Sequence, residues 1–246
     1  MEVHAHSHTA RKKWTHYLWE FLMLFLAVFC GFLAENQREH MVEHQREKQY
    51  MASLGRDVVL DIESLKQSSA SRKELINYYD SLVLLLEQRN KKSMNDIYFY
   101  ARFLFRSAPF SYHDRTIVQL KSSGGLRLVR NKKAADSITI YDNEMIKHML
   151  YQQELETQLR NEIFANHIGK IFNAYVWNKM VNEKNVIMRP EDNPDLITDN
   201  QTVINDFVVQ VVTLKTAYRS TNRFIESTIR SAENLIAYVK KEYHLE

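Results

Sequence analysis

Apolar residues are distributed along the chain in patterns that predict two kinds of helix, one for a membrane and several for a bundle. From Tyr17 to Ala34 every helical face is apolar, and Glu20 is the only charged residue. At about 1.5 Å per residue this stretch extends about 27 Å, close to the ~30 Å hydrocarbon core of a bilayer. We therefore predict a short tail over residues 1–16 and one transmembrane helix over residues 17–34.

The residues around this stretch favour an uncleaved anchor with a cytoplasmic N-terminus. Phe29 precedes Cys30, where a lipoprotein signal needs a small residue, and no small-x-small cleavage site follows the apolar run. Arg11, Lys12 and Lys13 lie directly before the span, whereas the other flank mixes acidic and basic residues. By the positive-inside rule, the large C-terminal part then lies on the extracytoplasmic side.

After the span, the pattern changes to that of amphipathic helices. Charged residues cover all faces of a helix that starts at residue 35, and we predict a solvated helical stalk over residues 35–66. Farther along, apolar residues recur every three or four positions up to about Asn90, with a gap around Ser68 to Ser71. The recurring residues are Leu54, Val58, Ile62, Leu65, Leu75, Tyr79, Leu82 and Leu86.

Two short helices are predicted next. Aromatic residues over about 95–107 indicate the first, which ends before Pro109 because proline cannot continue a helix. The second is expected from Asp114, a suitable N-cap, to Ser123. Gly124 then occupies the left-handed position that often ends a helix.

Two further long helices complete the chain. One is predicted from Asn131 to about Val181, and a linker with Pro190 and Pro194 follows it. In the last helix, nine of twelve alternating a and d heptad positions are apolar. These twelve positions are Ile204, Phe207, Val211, Leu214, Tyr218, Thr221, Ile225, Thr228, Ala232, Leu235, Val239 and Glu242. The fold class predicted is all-α, with an antiparallel helical bundle or coiled coil over residues 67–246.

Composition narrows the function classes. Five Gly and three Pro in 246 residues are too few turn formers for a β-rich or doubly wound chain. The net charge of +3 comes from 33 basic and 30 acidic side chains that interleave, which argues against nucleic acid as a partner. Cys30 is the only cysteine, so an internal disulfide or a cysteine-cluster metal site is excluded. We expect no cofactor.

One stretch matches a catalytic pattern. His40, Glu43 and His44 form H-x-x-E-H, in which two histidines one helical turn apart bind zinc beside a general-base glutamate. A zinc-dependent hydrolase is therefore one alternative for the function. Catalysis also needs a walled cleft and a third ligand, however, and an accidental match arises easily in so charged a stalk.

Two other groups are weaker candidates for binding sites. His4, His6 and His8 alternate, so an extended chain places their imidazoles on one face, where they can bind a transition metal weakly. Aromatic residues between Tyr98 and Tyr112, Phe103 among them, could line a ligand pocket of a sensory module. Aromatic residues at helical spacing are more often core, and we predict that role for most of them.

Several stretches resemble a family of uncharacterised single-span proteins from Bacteroidota. The stretches are Met1-Glu2-Val3-His4-Ala5-His6, Gly31-Phe32-Leu33-Ala34-Glu35-Asn36, Arg38-Glu39-His40, Glu47-Lys48-Gln49-Tyr50-Met51 and Leu120-Lys121-Ser122-Ser123-Gly124-Gly125-Leu126-Arg127-Leu128. The likeness is strongest over residues 1–60 and 110–130. It implies a bacterial inner-membrane setting and an anchored helical scaffold, and it supplies no catalytic residues.

The expected function is a non-enzymatic scaffold or partner-binding protein attached to a membrane. Its expected partners are the lipid bilayer and either further copies of the chain or another membrane protein. A ligand-binding sensory module is the first alternative, and the zinc hydrolase is the second.

Overall fold

The computed structural model describes residues 14–88, 93–122, 124–127 and 129–245. It divides into two compact units, Met1–Gln49 and Tyr50–Glu246. Helices account for nearly all the regular structure, and the described residues contain no β-structure beyond one isolated bridge between Val181 and Ile187. The all-α prediction is confirmed.

The first helix, α1, spans Trp14–Gln88 and contains the predicted membrane segment. Within the N-terminal unit, large apolar side chains of this segment are exposed on every face, as four consecutive residues show: Phe21 65%, Leu22 39%, Met23 69% and Leu24 69%. The segment is long and apolar enough to cross a bilayer. Burial of these side chains therefore requires an apolar environment outside this unit.

Seven further α-helices follow in the described part of the C-terminal unit. They are α2 Met94–Arg102, α3 Arg115–Ser122, α4 Lys132–Thr139, α5 Lys147–Ile163, α6 Gly169–Ile171, α7 Ala174–Lys179 and α8 Gln201–Tyr243. Short 3₁₀ turns lie at Phe103–Phe105 and Gly125–Arg127. Gly124 has φ +68°, the left-handed conformation that its position after α3 predicts.

Helices α4, α5 and α6 form one continuous rod over residues 132–171, because π-helical turns at Ile140–Ile146 and Phe164–Ile168 join them. The rod begins at Asn131 as predicted, and the Asn131 side chain caps it by accepting a hydrogen bond from the Ala134 N–H. The predicted end near Val181 is wrong. Phe172 is extended, and the Ile171 carbonyl accepts a hydrogen bond from the Ile197 N–H of the linker at 2.9 Å.

The three long helices of the C-terminal unit do not alternate in direction as the simplest bundle would. Asp61 bonds Tyr141, and Arg72, farther along α1, bonds Glu156, farther along the rod. Residue numbers thus increase in the same direction along both helices, so α1 and the rod run parallel. Arg160 bonds Tyr218 and His167 faces Asp206, so α8 runs antiparallel to the rod. The reason is that residues 93–122 return along the bundle before the rod begins, with Ala108, His113 and Thr116 bonded to successively earlier residues of α1.

Two hydrophobic cores fill the bundle, one at each end. In the first core, α1 residues Leu75 to Leu86 pack against α8 residues Ile204 to Tyr218. In the second core, Met51 to Leu65 pack against Ile225 to Tyr243. All eight apolar positions predicted in α1 are buried, as are eleven of the twelve heptad positions in α8. The exception is Glu242, which is exposed while the adjacent Tyr243 is buried.

The second core also changes the extent of the predicted stalk. The compact unit begins at Tyr50, and buried apolar side chains occur from Met51 onward. Residues 50–66, which the sequence assigns to a solvated stalk, therefore belong to the bundle.

Candidate functional site

A polar layer lies between the two hydrophobic cores, where the apolar pattern of α1 is interrupted. The fully buried Arg72 donates from Nε and Nη2 to the Glu156 carboxylate at 2.8–3.2 Å. Its Nη1 donates to the Ser68 hydroxyl, and that hydroxyl donates to the Ala108 carbonyl at 2.8 Å. The layer thus joins α1, the rod and the return segment, residues 93–122, through one hydrogen-bonded chain.

A second arginine extends the layer to α8. Arg160 Nη1 donates to the Tyr218 hydroxyl at 3.1 Å, and the Arg72 guanidinium carbon lies 5.6 Å from the Tyr218 ring centroid. Burial raises the pKa of the Tyr218 phenol, so it stays neutral. A cavity of about 80 Å³ borders Glu156 and Arg160. The Asn222 Oδ1 atom is buried without a hydrogen-bond partner among the described residues.

Two aspartates of α1 hold the return segment at the other end of the bundle. The buried Asp61 carboxylate accepts hydrogen bonds from the His113 N–H at 2.8 Å and the Tyr141 hydroxyl at 2.8 Å, and its Oδ1 lies 3.0 Å from His113 Nδ1. Asp57 accepts from the Thr116 N–H at 3.0 Å and the Thr116 hydroxyl at 2.5 Å. These carboxylates anchor α3 and the loop before it to α1.

A third carboxylate, Asp142, completes this cluster. It accepts a hydrogen bond from the Tyr112 hydroxyl at 2.7 Å and pairs with Lys121. Tyr141 and Asp142 are consecutive and both buried, within the π-helical turn Ile140–Ile146. Wider π-helical turns often accompany specialised sites. Here the turn directs Asp142 toward Tyr112 of the return segment and Tyr141 toward Asp61 of α1.

We call the cluster of Asp57, Asp61, Tyr141 and Asp142 with their partners the clamp, because its hydrogen bonds hold the return segment against α1 and the rod. Burial raises the pKa of the Asp61 carboxyl, while the hydrogen bonds from His113 and Tyr141 partly oppose that rise. A carboxylate that orients a histidine also occurs in catalytic sites, where the histidine acts as a base. Here both the N–H and the ring of His113 contact Asp61, which fixes the loop to α1.

The predicted zinc residues lie on the N-terminal unit's part of α1. His40 Nδ1 is 3.7 Å from Glu43 Oε2, and His44 Nδ1 is 3.8 Å from Glu47 Oε2. Each histidine therefore pairs with a glutamate one turn later. Within residues 14–88, 93–122, 124–127 and 129–245, no group of three His, Cys, Asp or Glu side chains is placed to hold a metal ion. His4, His6 and His8 lie outside the described residues.

The three aromatic residues proposed to surround a ligand are not brought together. Tyr98 is buried in the first core, and its hydroxyl accepts a hydrogen bond from the Asn173 N–H at 2.9 Å and donates to the Asp195 carbonyl at 3.2 Å. Phe103 packs against the same core, whereas Tyr112 packs against the second core. Their main role in this structure is packing.

The charged residues of the polar layer and the clamp were not predicted, although the sequence contains a signal for them. Asp61 and Ser68 continue the seven-residue spacing that links Leu54 to Leu75, and Arg72 lies seven residues after Leu65. Polar residues at core positions of a heptad pattern indicate buried partners. No protein-family model, curated protein or solved structure matches the chain.

Proposed function

We propose that the chain is a membrane-anchored helical scaffold that binds a protein partner and has no catalytic role. One observation supports this proposal above others. A single helix, α1, contains both the exposed apolar segment and the first long helix of a compact bundle. A bilayer is the environment that covers an apolar helix on all faces, and the bundle then supplies a folded surface for partners.

The proposed location is a bacterial inner membrane, with the N-terminus in the cytoplasm and the bundle in the periplasm. The basic residues 11–13 before the span support this orientation. Alkaline phosphatase fused after Glu246 should be active in cells, and a fluorescent protein that folds only in the cytoplasm should be dark there. The opposite result would reverse the proposed topology.

The binding role is tested in native membranes. A photoreactive amino acid at exposed bundle positions of the full chain should give a discrete crosslinked product, either a second copy or another membrane protein. Exposed positions such as Val118, Leu150 and Val209 cover three different helices. If no position gives more crosslinked product than a sample kept in the dark, the result contradicts the proposed binding role.

A ligand-binding sensory module is a second candidate, and one cavity favours it. About 390 Å³ lies between α7 and the linker, bordered by Tyr175, Lys179, Met180 and Arg189. Pockets of this size hold small ligands. Glu191 and Asp192 also line the cavity beside Lys179 and Arg189, so its charges suit a small ligand with groups of both signs. A panel of small zwitterionic compounds that leaves the melting temperature of the full chain unchanged would remove this candidate.

A further inference from the structure

An open apolar groove runs between α1 and the C-terminal end of α8. Its volume is about 600 Å³, and its aliphatic lining consists of Ala52, Val59, Leu60, Ile236, Val239 and Leu245. Val59 and Leu60 are 43% and 42% exposed. Such a surface resembles the groove between two helices of a bundle in which a third helix can pack.

Two local features keep the groove open. Gly55 is one of its lining residues, and no heavy atom comes within 4 Å of the position that a Cβ would occupy there. At the other end, His244 adopts the left-handed conformation with φ 49°, and the Leu245 N–H donates to the Lys240 carbonyl at 3.0 Å. This turn ends α8 and places Leu245 beside the groove instead of extending the helix.

The charges of the groove are of one sign. Arg56 on α1 and Lys240 on α8 are the charged residues among those that line it. The Arg56 guanidinium donates to the Ser53 hydroxyl at 2.9 Å, and neither cation forms an ion pair within the described part of the chain. An acidic partner would therefore gain two ion pairs at the rim of an apolar contact.

We propose that this groove binds an amphipathic helix of a partner protein, with the apolar face of that helix on the groove and its acidic residues beside Arg56 and Lys240. A helix fits because ridges of aliphatic side chains pack into the space between two other helices, and Gly55 lets its backbone approach. A second copy fits less well, because two identical grooves facing each other would oppose like charges. The inference rests on the proposed function and names the class of partner.

The test uses the full chain in nanodiscs of zwitterionic lipid and two fluorescent peptides of about 18 residues, long enough for five helical turns. Both peptides carry leucines on one face; one has glutamates along the edges of that face and the other has lysines. Binding is measured by anisotropy, with empty nanodiscs subtracted. The glutamate peptide should bind at least about tenfold more tightly than the lysine peptide.

Three variants identify the site. The double change Arg56→Glu/Lys240→Glu should reverse the preference between the peptides. Leu60→Cys in a Cys30→Ser background should bind normally until a bulky maleimide modifies it, and then lose binding. Val118→Glu, an exposed aliphatic position on α3, is the matched control and should bind like the unmodified chain. Because the thiol variant is modified after folding, a loss of binding there is not a loss of fold.

Several results would overturn the inference. The first is equal binding of both peptides, and the second is binding unaffected by charge reversal or by modification at Leu60. The third is efficient crosslinking of two copies through Leu60→Cys, which would make the groove a self-association surface. If native partners crosslink at Val118 and not at Leu60, the scaffold role stands and the groove inference fails. If the chain is not held in membranes, the proposed function fails whatever the peptides do.

Discussion

Arg72 on α1 and Glu156 on the rod form a buried ion pair, with Nη2 of the arginine 2.8 Å from the carboxylate. The two residues are 84 positions apart, and their pairing fixes the register of two parallel helices. Both sides of the layer that contains them are hydrophobic cores, so a shift of one helix would move a charge into apolar surroundings. We infer that the pair specifies helix alignment more than it adds stability.

Removal of one partner of this pair tests that view. Arg72→Met should destabilise the bundle by about 3–5 kcal/mol, because Glu156 is left as an uncompensated buried charge. The double variant Arg72→Met/Glu156→Leu should recover most of the loss, since both charges are gone. Urea unfolding of the full chain in micelles, followed by circular dichroism, measures both. Arg56→Met, at an exposed arginine of the same helix, is the control and should change stability by less than about 0.5 kcal/mol.

The raised pKa of Asp61 predicts a pH dependence with a definite sign. A carboxyl whose pKa is higher in the folded state than in the unfolded chain takes up protons on folding, so its contribution to stability falls as pH rises. That fall begins at about pH 4, the ordinary carboxyl value, and ends above the raised pKa. Asp61→Asn removes the titration. The difference in melting temperature, variant minus wild type, should therefore become more positive as pH increases from 4 to 7. A difference that is flat with pH would show that Asp61 does not titrate as proposed.

Two glycines in different conformations should respond oppositely to alanine. Gly124 has φ +68°, where an L side chain costs about 1–2 kcal/mol, so Gly124→Ala should destabilise by roughly that amount. Gly55 is helical with open space around it, and Gly55→Ala should stabilise by about 0.5–1 kcal/mol. Thermal unfolding of both variants gives the comparison. Equal shifts of the same sign would contradict the backbone assignments.

Helix capping gives a further matched pair. Asn200 accepts hydrogen bonds from the Thr202 and Val203 N–H groups at the start of α8, and Asn200→Ala should cost about 1 kcal/mol. Asn131 caps the rod and also accepts a hydrogen bond from the Tyr238 hydroxyl of α8 at 2.9 Å. Asn131→Ala should therefore cost more, and adding Tyr238→Phe to it should cost little extra. Denaturant unfolding of the three variants tests the order, and a smaller loss for Asn131→Ala would exclude the second bond.

The sequence predicts well those elements whose burial repeats with a helical period. Along α8 the heptad pattern extends from Ile204 to Val239 without a break, and the buried positions follow it. In the rod, the π-helical turns at Ile140–Ile146 and Phe164–Ile168 change the spacing of the buried face. The pattern there does not show where the helix ends, and the end at Ile171 depends on the distant Ile197.

Long-range polar pairs are beyond what periodicity can show. Asp61 with Tyr141 and Arg72 with Glu156 require that α1 and the rod run parallel, whereas short connections predict antiparallel neighbours. That direction depends on the return of residues 93–122 along the bundle. The sequence can mark Asp61 and Arg72 as polar residues at core positions, but their partners depend on topology.

The central claim is that the apolar segment of α1, residues 17–34, inserts into a membrane. Alkaline carbonate extraction of cell membranes tests it most directly. The full chain should remain in the membrane pellet at high pH. The double variant Phe25→Lys/Val28→Lys should move to the supernatant or fail to insert, because each lysine near the centre of a span costs about 2.5–3.5 kcal/mol. The control Val118→Lys places a lysine on α3 and should remain in the pellet. Complete release of the unmodified chain by carbonate would contradict the account.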